Sequence, residues 1–135
     1  MSLPKSTGEP AFKEYAAWYD AFNPAKDYGA EVDYLLRHIE AISGTPRRWL
    51  DIGCGTGRHL AAIKSKGIDV EGLDRSEGMI ERARLAHPDI PFHVGTAQDF
   101  TLGGDRDVVS MLFHVMSYQH SDEMVRSAMK SVRAH

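Results

Sequence analysis

The sequence predicts an α/β fold built on a doubly wound parallel sheet, and three observations predict it. Short apolar runs near 48–52, 69–73, 92–94 and 108–113 alternate with segments whose apolar residues recur at helical spacing. The first run enters the loop Gly53-Cys54-Gly55-Thr56-Gly57, with glycine at every second position, and helical spacing resumes at Leu60. The last run, Val108 to Phe113, is nearly all apolar, as a strand covered on both faces should be.

The elements follow in order. Residues 1–10 hold two prolines and Gly8 and read as a flexible arm; residues 11–135 read as one domain. Phe12, Tyr15, Tyr19 and Phe22 recur at helical spacing until Asn23-Pro24 ends the segment. A second helix runs from Tyr28 to Ile42, with Val32, Leu35, Leu36, Ile39 and Ile42 on one face and Gly44 as its stop. Strand one is Arg48–Ile52. The helix after the glycine loop turns Leu60 and Ile63 inward and closes at Gly67. Strand two covers 69–73. Ser76 is placed to cap a helix with Met79, Ile80, Ala83 and Ala86 on one face, and His87-Pro88 breaks it. Strand three is Phe92–Val94 and strand four Val108–Phe113. Ser121 or Asp122 caps a last helix that turns Val125, Ala128, Met129 and Val132 inward.

Bulk properties narrow the function. A formal net charge of −3 leaves no basic footprint for nucleic acid. No apolar stretch approaches the ~20 residues of a membrane span, and the N-terminus lacks a basic-then-apolar signal pattern. A single cysteine, Cys54, excludes an internal disulfide and fits a reducing compartment, so a cytoplasmic protein is expected. The seven histidines show no metal-ligand spacing, and no metal is expected.

The glycine loop carries the chemistry. Glycines let a ligand approach bare backbone, and the helix behind the turn offers unpaired N–H groups. The spacing is G-x-G-x-G, with Arg58 where a dinucleotide fingerprint has its third glycine, and no Gly-Lys pair of a phosphate loop occurs. Asp51, at the end of strand one, would repel a pyrophosphate and suit an ammonium. Asp74 ends the next strand, about 20 residues on, where a carboxylate reaches ribose hydroxyls in such folds. A nucleoside with a positive or zwitterionic tail fits these groups better than a dinucleotide.

With these residues the chain resembles the class I S-adenosylmethionine-dependent methyltransferases. Asp51-Ile52-Gly53-Cys54-Gly55-Thr56-Gly57 matches the family's first motif, an acid followed by x-Gly-x-Gly-x-Gly. Gly72-Leu73-Asp74-Arg75-Ser76 through Met79 matches the second. Phe92–Gly95 with Ala97-Gln98-Asp99-Phe100 resembles the third-strand region, and Asp107–Met111 the fourth strand. The likeness covers roughly residues 12–133. Tyr15–Phe22 and Lys26-Asp27-Tyr28 look most like small-molecule N-methyltransferases, including those acting on amino sugars. The fold it implies is Rossmann-like, with two helices ahead of the sheet. It also implies that the chain stops after about strand four and its following helix, short of the family's last three strands.

The resemblance implies a set of site residues. Gly53, Cys54, Gly55 and Gly57 would hold the cofactor, with Cys54 a small filler of the turn rather than a nucleophile. Asp51 would sit near its amino group, and Asp74 would accept from both ribose hydroxyls while carrying little of the fold's stability. Arg75 and Met79 would flank the adenine, though Met79 also fits plain core. The family's acid after the third-strand glycine is Thr96 here, so Ala97, Gln98 and Asp99 are the candidates for the adenine edge. Tyr28 and Phe113 complete the cofactor set. Tyr15, Tyr19 and Tyr28 would close over the methionine part, or form an ordinary apolar helix face. Tyr19 and His114 are the candidate catalytic residues, His114 as a base that titrates near neutral pH. The expected function is methyl transfer from S-adenosylmethionine, leaving S-adenosylhomocysteine, to a small-molecule acceptor by N- or O-methylation. A non-catalytic cofactor-binding module and a nicotinamide-dependent oxidoreductase are the alternatives. Strand four lacks cover from this chain alone, so a homo-oligomer covering it is expected.

Overall fold

In the computed structural model, residues 26–112 and 115–135 are described. The expected arm and first helix lie outside them, as do Tyr15, Tyr19, Phe113 and His114.

Local signals set the helix ends. Asp27 accepts the Ala30 N–H at 2.9 Å and starts α1 (Tyr28–Ser43), which Gly44 stops with φ of 79°. After β1 (Arg48–Ile52) come α2 (Arg58–Lys64), β2 (Asp69–Asp74) and α3 (Glu77–Ala86). Ser76 caps α3 by accepting from Met79 N. The chain continues with β3 (Phe92–Val94), β4 (Val108–Ser110), a 3-10 turn over Val115–Tyr118 and α4 (Asp122–Arg133), capped by Ser121. Such side-chain caps contribute about 1 kcal/mol each.

The four strands form one parallel sheet in the order β3-β2-β1-β4. The winding reverses beside β1, where the chain passes from β3 at one edge to β4 at the other. Alternation along the strands divides the core between the two faces. On one face Trp49, Val70 and Phe92 pack with Val32 and Leu36 of α1, Leu60 and Ile63 of α2, and Ile80 and Ala83 of α3. On the other, Leu50, Ile52 and Leu73 pack with Ala97, Phe100 and Ala128 of α4. This is the doubly wound arrangement that the sequence predicts. Among the described residues no helix is long and apolar enough to cross a membrane.

Three expectations need correction. Strand four ends at Ser110 rather than Phe113; Val108 to Leu112 are half-buried, in line with the expectation that this chain alone does not cover the strand. Among the described residues β4 pairs only with β1, which leaves the sheet one residue beyond the Asp51–Ser110 pair. Ile42 is 87 % exposed and Met129 47 %, so the buried stripes of α1 and α4 are narrower than periodicity alone predicts. Ala86, the final residue of α3 before the His87-Pro88 break, is exposed as well.

Packing is tightest where β2 crosses beneath the glycine loop. A β-carbon on Gly72 would lie 2.7 Å from Cys54 Sγ and 2.8 Å from both Leu60 and Phe92 side-chain carbons. These three neighbours are buried and cannot all retreat. Overpacking of this kind costs about 1–3 kcal/mol. Gly72→Ala is therefore expected to lower the unfolding free energy by that amount, read as a lower urea midpoint at unchanged slope. Gly103→Ala, where no atom lies within 4 Å, should stay within ~0.5 kcal/mol of the parent. Equal midpoints for the two variants would contradict the packing account.

Candidate functional site

The C-terminal ends of the strands surround a cavity of about 560 Å³. It lies beside β1, at the topological switch point where open α/β sheets place their ligands. Its wall takes Asp51 to Thr56 from the end of β1, Asp74 to Ser76 from the end of β2, and Gly95 to Gln98 after β3. Leu112, Val115, Tyr118, Gln119 and Met124 close it beyond β4, and Tyr28, Arg58 and His59 border it from α1 and α2.

The glycine loop is held from below. The Leu73 carbonyl accepts from both Gly53 N (2.7 Å) and Cys54 N (3.1 Å), and Asp74 Oδ2 accepts from Gly55 N at 2.9 Å. Gly55 lies on the cavity wall with φ of 56°, and a β-carbon there would meet no protein atom within 4 Å. Main chain is thus presented to the cavity without a side chain in the way. Gly57 differs. It is not on the wall, and a β-carbon there would lie 2.7 Å from Phe92 Cζ. It lets the start of α2 come down onto β3.

Two acids meet at the cavity in different states of attachment. Asp74 bridges the loop and the next helix, since its Oδ1 accepts from Ser76 N at 2.9 Å while its Oδ2 holds Gly55. The expectation that Asp74 carries little of the fold's stability is therefore corrected: it satisfies two backbone donors. Asp51 is 2 % exposed, and Ser110 Oγ donates to its Oδ1 at 2.7 Å. Burial pushes the Asp51 carboxyl up from 3.8 to about 7; the Ser110 hydrogen bond opposes this and the nearby Asp74 charge adds to it. Burial likewise pushes the Cys54 thiol well above its ordinary value, which suits an inert filler of the turn.

The rim is built from paired side chains. His59 Nε2 lies 2.7 Å from Glu31 Oε2, and the His59 ring meets Tyr28 edge-on with centroids 4.7 Å apart. Burial holds the His59 imidazole below its ordinary value, against the pull of Glu31. The Arg58 guanidinium lies 5.6 Å from the Tyr28 ring centroid. On the far side Arg75 lies 5.5 Å from the Tyr118 ring centroid, and Gln98 donates through its side-chain amide to Gln119.

Ten sequence-predicted residues share this cavity: Tyr28, Asp51, Gly53, Cys54, Gly55, Asp74, Arg75, Met79, Ala97 and Gln98. Gly57 and Asp99 are off its wall; Asp99 instead closes a small turn with Thr96. Phe113, His114 and Tyr19 lie outside the described residues. The sequence reading missed Ser110, His59, Tyr118 and Gln119. Ser110 reaches Asp51 only through cross-strand register, and no local spacing announces such a pair. The alternation of β4 was the one available signal, since it places a hydroxyl on the Trp49 face.

Comparison with known proteins supplies the family. A model of the methyltransferase domain matches residues 50–135. The dTDP-4-amino-2,3,4,6-tetradeoxy-D-glucose N,N-dimethyltransferase of Saccharopolyspora spinosa is 30% identical over 90% of this chain and 50% of its own length. The dTDP-3-amino-3,4,6-trideoxy-alpha-D-glucopyranose N,N-dimethyltransferase of Streptomyces venezuelae is 32% identical over 90% of this chain and 52% of its own. Among solved structures, Streptomyces venezuelae DesVI superposes with a TM-score of 0.83 at 32% identity, over 90% of this chain and 52% of that one. An amino pentose methyltransferase from Micromonospora echinaspora, solved with S-adenosylmethionine bound, gives a TM-score of 0.79 at 29% identity over 100% of this chain and 53% of that one. The chain spans about half the length of the curated relatives it matches. With Asp51 to Thr56 of its first motif on the cavity wall and the family model covering most of its length, the chain belongs to the S-adenosylmethionine-dependent methyltransferase family.

Proposed function

We propose that this chain holds S-adenosylmethionine in the cavity and serves methyl transfer to a small-molecule acceptor. One observation carries the reading: bare backbone at Gly55 and the carboxylates of Asp51 and Asp74 meet on one cavity at the switch point. The donor and acceptor inventory fits the cofactor. A carboxylate has about four lone-pair sites. Asp74 commits one on each oxygen to backbone and keeps capacity for two neighbouring ribose hydroxyls. Asp51 offers its carboxylate to the amino group. Arg75 and Met79 flank the adenine, Ala97 and Gln98 serve its edge, and Tyr28 covers the methionine part. Gly57 and Asp99 support the site through the packing and the turn they make.

The cofactor, when bound, supplies an already activated methyl group. The chain's own task is to align the acceptor and exclude water. The dimethyltransferases above are named for dTDP-linked amino sugars. The amine of a nucleotide-linked amino sugar is accordingly the acceptor we propose, by N- rather than O-methylation. Such an amine arrives protonated, so a base is needed, and His114 with Tyr19 remains the proposed pair. The single thiol, buried in the turn, supports a reducing cytoplasmic setting. A second copy over the β4 edge is proposed as the oligomer.

The first test is cofactor choice. S-adenosylmethionine and S-adenosylhomocysteine should bind with Kd of ~10⁻⁶–10⁻⁴ M by calorimetry. NAD binding more tightly than either would contradict the reading. Binding with no transfer to an amino-sugar nucleotide would leave a cofactor-binding module.

Two variants separate ligand from fold. Gly55→Val should abolish binding and cost only about 1–2 kcal/mol of stability, because its β-carbon meets no protein atom and only the positive φ is strained. Asp74→Ala should weaken binding by about 1.5–3 kcal/mol and also lower the melting temperature, since Gly55 N and Ser76 N lose their acceptor. Retained affinity in either variant would remove that residue from the site.

Asp51 makes a pH-dependent prediction. Its folded-state pKa is raised, so between about pH 4 and 7 the folded chain holds a proton that the unfolded chain has released. Stability contributed by this group falls as pH rises through that window, by up to about 4 kcal/mol at ~1.4 kcal/mol per pKa unit. Asp51→Asn should therefore be more stable than the parent at pH 8, in urea unfolding, while losing affinity for the cofactor. A variant destabilised at pH 8 would contradict the assignment of Asp51 as a buried acid kept for its ligand.

A further inference from the structure

We propose that Trp49 and Ser110 form a positioning relay that orients the Asp51 carboxylate and favours its charged form for a cationic group bound in the cavity. The inference rests on the cofactor reading above and adds a residue pair to it. The relay is a product of sheet register. Trp49 and Asp51 are two apart on β1 and share a face, and Ser110 of β4 pairs directly with Asp51.

Hydrogen inventory fixes the direction of the first bond, and the geometry gives the second. The indole N–H of Trp49 can only donate, and with the side chain 1 % exposed it needs a partner. It finds Ser110 Oγ at 2.8 Å. Ser110 therefore accepts from Trp49 and has a single hydrogen left to give. That hydrogen points to Asp51 Oδ1, 2.7 Å away, within the range of O–H donors on an ionised carboxylate. Ser110 thus donates to Asp51 while accepting from Trp49, and a hydrogen bond donated to a carboxylate favours the charged acid. The same bond pins one carboxylate oxygen to the β4 side, which sets how Asp51 faces the cavity it lines.

The surroundings make this assistance necessary. Burial and the Asp74 carboxylate from β2 both push Asp51 toward its neutral form, and Ser110 pulls the other way. Cys54 of the glycine turn is held as the neutral thiol and brings no charge. Besides Asp74 and Cys54 the cavity wall carries Arg58, Arg75, the phenols of Tyr28 and Tyr118, and His59, which is held toward its neutral form. A ligand ammonium would meet a weaker partner if the Ser110 hydroxyl were lost.

The test uses the full chain and two variants, Ser110→Ala and Ser110→Thr. S-adenosylhomocysteine binding is followed by calorimetry from about pH 5.5 to 9, and the Asp51 carboxyl is titrated in ligand-free protein by carbon-13 NMR. Ser110→Ala should move both midpoints up by about one pH unit, weakening binding ~5–10-fold at pH 7 and little at pH 9. Ser110→Thr keeps the hydroxyl and should restore both. An unchanged NMR midpoint in Ser110→Ala, or an affinity loss equal at every pH, would overturn the relay. Absence of binding by the parent chain, with the NMR shift present, would overturn the cofactor reading and leave the relay standing.

Discussion

The cavity depends on how the chain leaves β1. At the end of this central strand the backbone must cross over the end of β2 and start a helix within a few residues. The crossing is held by one carbonyl and one carboxylate: Leu73 takes the N–H groups of Gly53 and Cys54, and Asp74 takes that of Gly55. Side chains would block it from both directions. From below, Gly72 leaves room for Cys54, Leu60 and Phe92; from the side, Gly57 lets α2 approach Phe92. Of the three loop glycines only Gly55 faces open space, and there the main chain itself becomes the wall of the cavity. The alternating glycines thus divide between packing and presentation, though in sequence they look alike.

The second consequence is electrostatic. Ending β1 in an acid puts a carboxyl in the sheet's interior, where it is 2 % exposed. A buried carboxylate is destabilising unless something compensates it. Ser110 compensates in part and a cationic ligand would complete the balance. On the proposed function, the acid is kept buried at a cost to stability that a cationic ligand in the cavity would offset, an arrangement common where function competes with stability.

Much of this was legible in the sequence because it is local. The bounds of β1 and β3, the caps at Ser76 and Ser121, and the stop at Gly44 follow from short-range chemistry and stand where it placed them. That the glycine loop and Asp74 share one cavity wall was legible because strand, turn and acid occur at fixed intervals. What was not legible depends on contacts across the fold. Ser110 acts on a residue 59 positions away. Asp74 proved to be structural as well as exposed to the cavity, since its backbone partners come from two separate loops. Strand four was expected to run to Phe113 because its residues are apolar, yet it ends at Ser110, since ladder pairing with β1 and not hydropathy sets its length.

A crystal structure of the chain with S-adenosylhomocysteine is the most direct measurement of the central claim. The account predicts the ribose hydroxyls on the Asp74 carboxylate, the amino group toward Asp51, and ligand against the Gly55 main chain with no change in the Leu73 and Asp74 contacts beneath the loop. A ligand seated elsewhere, or one that enters only by pulling the loop away from Asp74, would contradict it.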